Sequence, residues 1–244
     1  MASAEFAPLA DALADDHTVV TFDPRGHAGS PIDDPGDDAT AEQRADDLVA
    51  ILDALGAESA DVFGSSGGAV TGLALVAHHP ARVRTLVAHE PPLLELLPDA
   101  DQQRAATDDI ITTFHTDGLG AAWFKFMVNA GFDMTAPDPN PGKVHTEAAE
   151  PAGQDLHEAA RFFDHELRPT TRYVPDVAAL SKSRVVVGIG SDSGQLVTYR
   201  TSVALANLLG VGPVEFPGDH GGFLGQPTEF AAVLRQEVGP DPTS

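Results

Sequence analysis

The strongest chemical signal in this sequence is a run of five small residues, Gly64-Ser65-Ser66-Gly67-Gly68. The run fits G-x-S-x-G with Ser66 at the centre, a spacing suited to a serine nucleophile raised on a very tight strand-to-helix turn. The requirement is steric. The backbone at such a serine is strained, and the residues two before and two after it approach neighbouring backbone, so only small side chains fit. Ser66 has Gly64 and Gly68 in those places, whereas Ser65 would have the bulky Phe63 two positions ahead. A phosphate-binding loop of the form G-x-x-x-x-G-K-[ST] would need a lysine that this stretch lacks.

A serine hydroxyl is a weak nucleophile until a base takes its proton. His220, in Pro217-Gly218-Asp219-His220-Gly221-Gly222, lies on a glycine-rich loop after the last expected strand. From there an imidazole can reach the C-terminal ends of neighbouring parallel strands. His78 and His79, at a helix end, and His157 and His165, in a helical stretch, are less suited. A third group should hold the ring's tautomer and stabilise its positive charge. Asp192, just past a strand at 184–187, is the expected acid. Glu90, which ends the strand after the nucleophile's, is its competitor, and Asp219 is too near His220 in sequence to orient the ring. The Gly67 amide, at the start of the following helix, is the expected oxyanion donor.

These groups need a scaffold, and the apolar periodicity supplies one. Phe6, Leu9, Ala10 and Leu13 share a helical face. Thr18 to Phe22 is short and β-branched, and reads as a buried strand. Thr40 and Gln43 have the form of a capping box ahead of a helix that carries Ala45, Leu48, Leu52 and Leu55 and stops at Gly56. Strands are expected at 61–63, 84–88, 184–187 and 214–216, and helices at 69–78, 196–209 and 228–238. Strand signals vanish over 93–180, which contains a Pro/Gly-rich break at 136–142. This alternation predicts an α/β fold, a doubly wound, mostly parallel sheet with a helical cap insertion. Residues 1–92 and 181–244 are expected to form the core and 93–180 the cap.

Composition narrows the function classes. The 244 residues are 42% hydrophobic, enough for a real core, and include no cysteine, so disulfides, thiolate zinc sites and cysteine nucleophiles are excluded. Thirty-seven acids against fourteen Lys and Arg give a net charge of −23. Such a surface repels phosphate backbones and anionic lipid heads, so neither nucleic acid nor membrane is an expected partner. No secretory signal is visible, and the expected location is cytoplasmic. His157, Glu158, His165 and Glu166 lack the H-E-x-x-H spacing and read as a solvated helix face, so no metal is expected. Gly188-Ile189-Gly190 follows a strand, but position 193 is serine where a dinucleotide fingerprint has its third glycine. Trp123, Phe124, Phe126 and Met127 form an apolar cluster at helical spacing, read as packing of cap on core, with an acyl pocket as the alternative.

Four stretches together resemble the serine-dependent α/β-hydrolase superfamily: Asp23-Pro24-Arg25-Gly26-His27-Ala28-Gly29-Ser30, the elbow at 64–68, residues 79–87, and Pro217-Gly218-Asp219-His220. The resemblance runs from Phe6 almost to the end of the chain. It implies a Ser66–Asp192–His220 triad, no cofactor, and cleavage of an ester or related acyl bond of a small or medium organic substrate. Perhydrolysis, thioester cleavage, C–C cleavage, acyl transfer and a non-catalytic binding role are the alternatives. Some relatives carry the acid where Glu90 stands, and Ile189 occupies a place where the family's acid loop has glycine. Relatives also begin with strands that precede the helix at Phe6 to Leu13. The favoured expectation is therefore that further strand-forming sequence belongs ahead of Met1; direct pairing of strands 18–22 and 61–63, or a partner chain between them, are the alternatives.

Overall fold

A computed structural model describes residues 2–32, 34–134 and 154–239. Its centre is a parallel sheet of β1 (Ala60–Ser65), β2 (Val83–His89), β3 (Val185–Gly190) and β4 (Val214–Phe216), in the order β1-β2-β3-β4. The two inner strands are buried over their C-terminal ends, Thr85 to His89 in β2 and Val187 to Gly190 in β3, as strands covered on both faces must be, whereas β1 and β4 are less buried. Along β2, Leu86 and Ala88 enter one core cluster and Val87 the opposite one, following the two-residue period of a strand.

On the first face lie α2 (Ala41–Ala54), α3 (Gly67–His78), α8 (Val177–Leu180) and α9 (Val197–Leu209). Helix α2 starts as its sequence predicts: Thr40 accepts the Gln43 amide and the Gln43 side chain returns to the Thr40 amide. Helix α3, rich in Ala, Val and Leu, is buried from Ala69 to Val76 against β1 and β2. The other face is covered by α1 (Ala7–Leu13) and α11 (Pro227–Val238), with the short α10 (Gly222–Gly225) beside them. The doubly wound α/β sheet is therefore as expected, and the later strands and helices lie within two or three residues of their predicted bounds.

Between β2 and β3 the described chain is helical: α4 (Ala100–Asp117), α5 (Leu119–Ala130), α6 (Gln154–Arg161), a π-helical turn at Phe162–Glu166, and α7 (Leu167–Thr171). These helices share a cluster of their own, built on Ile110, Ile111, Ala122, Phe163 and Leu167. The Pro/Gly-rich break at 136–142 lies outside the described residues. No described helix is long and apolar enough to cross a membrane.

One element differs from expectation. Thr18 to Phe22 forms no strand, and Val19, Val20 and Phe22 are 36%, 49% and 38% exposed. A β-branched run becomes a strand only when a neighbouring ladder and a packed face receive it, and this segment has neither among the described residues. It does not pair with β1, whose described strand partner is β2.

Candidate active site

The turn after β1 has the strained form its sequence requires. Ser66 sits at φ 55°, ψ −124°, and its amide donates to the His89 carbonyl at 2.9 Å. Gly64 is obligatory: a Cβ there would lie 2.6 Å from the Gly68 carbonyl carbon and 2.8 Å from the Ala69 nitrogen. Gly68 is different, because a Cβ on it would meet nothing within 4 Å. The crowding at the turn is one-sided: Gly68 contributes backbone to the close approach and Gly64 must lack a side chain.

His220 stands on the loop between β4 and α10, and lines the same cavity as Ser66 and Gly67, a space of about 150 Å³. Its Nδ1–H donates to Glu90 Oε2 at 2.6 Å, which fixes the proton on Nδ1 and leaves Nε2 with its lone pair. Glu90 has no exposed surface. It also accepts the Gly190 amide at 2.9 Å and the Thr198 hydroxyl at 3.2 Å. Burial works against its charge, but the hydrogen bonds from His220 and Gly190 outweigh that and hold its carboxyl below the usual range. Glu90 too has a left-handed backbone, φ 50°, where the chain leaves β2 for Pro91 and Pro92.

His220 pairs with Glu90 rather than with Asp192, the expected acid. Asp192 is exposed on the loop after β3, and its amide donates to the Gly218 carbonyl at 3.0 Å. The reason is positional: the sheet delivers the end of β2 beneath the His220 ring, and the β3 loop turns outward. Asp219 accepts the Gly221 amide at 2.8 Å and so shapes the histidine loop. The sequence signal for Glu90 was its place at the end of the strand beside the nucleophile's.

Residues from the helical segment close over this cavity. Thr170, Phe126 and Phe162 line it, and Gly67 faces Thr170 closely, since a Cβ on Gly67 would lie 3.5 Å from the Thr170 methyl. Of the apolar cluster on α5, Phe126 reaches the cavity wall, whereas Trp123 stacks on Phe162 and Phe124 is 57% exposed.

A buried ionic cluster also borders the cavity, which the sequence did not reveal. Glu166 Oε1 receives His27 Nε2 at 2.7 Å, lies 2.9 Å from Arg44 and 3.4 Å from Arg161, and so ties α2 and the loop at 26–30 to the π-helical turn. The expectation of a solvated face thus fails for Glu166. The spacing of His165 and Glu166 holds no hint that the helix widens into a π-turn at that point. Burial pushes the Glu166 carboxyl up, but His27 and Arg44 outweigh it and hold it at about 2. Among the described residues no group of acids and histidines could hold a metal ion.

Strand, sharp serine turn, helix, and a late histidine tied to a buried carboxylate thus lie together at one edge of a doubly wound sheet. A profile described as the alpha/beta hydrolase fold matches residues 1–118. The uncharacterized hydrolase YraK of Bacillus subtilis (strain 168) is 31% identical over 238 residues, covering 94% of this chain and 82% of its own. Zearalenone hydrolase of Cladophialophora bantiana is 28% identical over 226 residues, covering 88% and 76%. The fold is also that of a thermophilic esterase from Thermogutta terrifontis, at TM-score 0.70 and 19% identity over 97% of this chain and 85% of that one. The chain belongs to the α/β-hydrolase family and is a hydrolase of it.

Two buried groups predict acid sensitivity in successive, slightly overlapping windows. Burial drives the His89 imidazole down to about 4, so from pH 6.5 to 4 only the unfolded chain takes up its proton and stability falls. Glu166, held at about 2, stabilises the fold above pH 4.5, and that contribution is lost as pH falls toward 2. Each is worth about 3 kcal/mol. Urea unfolding across pH should show a shallower slope between 6.5 and 4 in His89→Asn, and between 4.5 and 2 in Glu166→Gln. Slopes equal to wild type would contradict the assignment.

Proposed function

We propose that this hydrolase cleaves an ester or related acyl bond of a small organic substrate through Ser66, His220 and Glu90. The reading rests above all on the 2.6 Å hydrogen bond between His220 Nδ1 and Glu90, made beside a strained serine on one shared cavity. Ser66 Oγ attacks the carbonyl carbon while His220 Nε2 takes its proton. Glu90 holds the ring's tautomer and stabilises the imidazolium. The Gly67 amide, at the start of α3, faces the developing oxyanion with the helix dipole behind it. His220 returns the proton to the leaving group, the bond breaks, and an acyl-Ser66 remains. Water, deprotonated by His220, then attacks the acyl carbon; the bond to Ser66 Oγ breaks, His220 returns the proton to Oγ, and the acid leaves.

The cavity favours a short acyl group. Its volume of about 150 Å³ is below the ~300–1,000 Å³ of sites for drug-sized ligands, and Ile110, Phe126, Phe162 and Val197 make its wall apolar. The segment 93–180 serves as a cap in this reading, because its residues supply much of that wall.

A fluorophosphonate probe should label Ser66 and not Ser65, as read by peptide mass mapping. On p-nitrophenyl butyrate, Ser66→Ala should lose on the order of a million-fold in kcat. Glu90→Gln should lose about a thousand- to ten-thousand-fold through the wrong tautomer. Asp192→Asn should stay within about twofold, as expected of a surface substitution. Full activity in Glu90→Gln, or a large loss in Asp192→Asn, would move the acid back to Asp192. p-Nitrophenyl butyrate should also be cleaved faster than the dodecanoate, and the reverse order would refute the short-acyl reading.

A further inference from the structure

Directly beneath the reacting groups lies a second serine–histidine pair that the proposed reaction does not use. Ser65 Oγ and His89 Nδ1 are 3.0 Å apart, joining the last residue of β1 to the last of β2, which are also register partners in the sheet. His89 has no exposed surface. Its ring meets Phe216 and Phe230 nearly edge to face, at 5.7 and 5.3 Å between centroids. It lies almost parallel to the His220 ring, 6.2 Å away at 23°. On its far side Nε2 is buried with no hydrogen-bond partner among the described residues.

An imidazole with an unmet nitrogen is a poor choice for filling an aromatic core, since an apolar ring would leave no polar atom stranded. What distinguishes the position is its connections. The His89 carbonyl receives the Ser66 amide at 2.9 Å, and the next residue is Glu90. One residue thus hydrogen-bonds the nucleophile's backbone and the nucleophile's neighbour, lies nearly parallel to the base's ring, and is covalently joined to the acid. Ser66 and Glu90 both have left-handed backbones, and such conformations persist only where their surroundings over-determine them.

Resting on the triad reading above, we propose that His89 is a positioning residue. Its Nδ1 contact with Ser65 clamps the ends of β1 and β2 together, and its ring supports His220, so that Ser66 and Glu90 stand at the separation His220 bridges. Misplacing reacting groups by about an ångström costs on the order of a hundredfold in rate. Loosening the clamp therefore lowers kcat with little change in KM, because the cavity wall that binds substrate is untouched.

The test uses Ser65→Ala, His89→Phe, His89→Asn and the double variant Ser65→Ala/His89→Phe, with p-nitrophenyl butyrate as substrate and fluorophosphonate labelling of wild type as the control. Ser65→Ala and His89→Phe should each lower kcat about tenfold or more, with KM within about twofold. The double variant should be no worse than the poorer single, as for partners in one contact. His89→Asn, whose amide can still meet Ser65, should keep most of the activity. If His89→Phe does not fold, Ser65→Ala and His89→Asn carry the comparison. Unchanged kcat in Ser65→Ala, losses that add in the double variant, or no rescue by asparagine would overturn the clamp while labelled wild type left the triad standing. Wild type that takes no label at Ser66 would overturn both.

Discussion

Glu90 is a carboxylate with no exposed surface, and the site is organised around keeping it charged there. An isolated buried carboxylate would protonate, because losing its hydration costs several kcal/mol. Three donors prevent this: the Gly190 amide from β3, the Thr198 hydroxyl from α9, and the His220 ring. Two come from the scaffold and are permanent. The third is the group whose tautomer the carboxylate fixes in return. The His220–Glu90 bond helps make the charge tolerable and, in the proposed reaction, gives it a task.

That bond constrains the sheet. Adjacent strands β1 and β2 must end level, with Ser66 following one and Glu90 the other, and both residues must turn out of the strand through left-handed backbone. Such turns are unfavourable for side chains with a Cβ. The surrounding structure holds them: α3 locked against β1 and β2, a Gly64 with no room for a side chain, and a group of phenylalanines from β1, β4, α10 and α11. On the substrate side, the Glu166 cluster ties α2 to the helical segment that lines the cavity, so that core and covering helices are joined by buried charge as well as by apolar contact.

Much of this was legible in the sequence because it rests on local rules. The serine turn is marked by glycine spacing, α2 by its Thr40–Gln43 cap, and the strand–helix alternation by period. The acid was not settled, because Asp192 and Glu90 both follow strands, and only the lateral order of the strands decides which lies under His220. Thr18 to Phe22 carried the composition of a strand without the ladder that would make it one. The Glu166 cluster and the Ser65–His89 contact join residues 139 and 24 positions apart in the chain, and no spacing rule reaches across such distances.

The most direct measurement is a crystal structure of the protein after reaction with a small phosphonate ester. The account predicts a covalent bond from Ser66 Oγ to phosphorus, a phosphoryl oxygen on the Gly67 amide, and His220 still held by Glu90 through Nδ1. An adduct on another residue, or a His220 ring turned to Asp192 with Glu90 left unpaired, would contradict it.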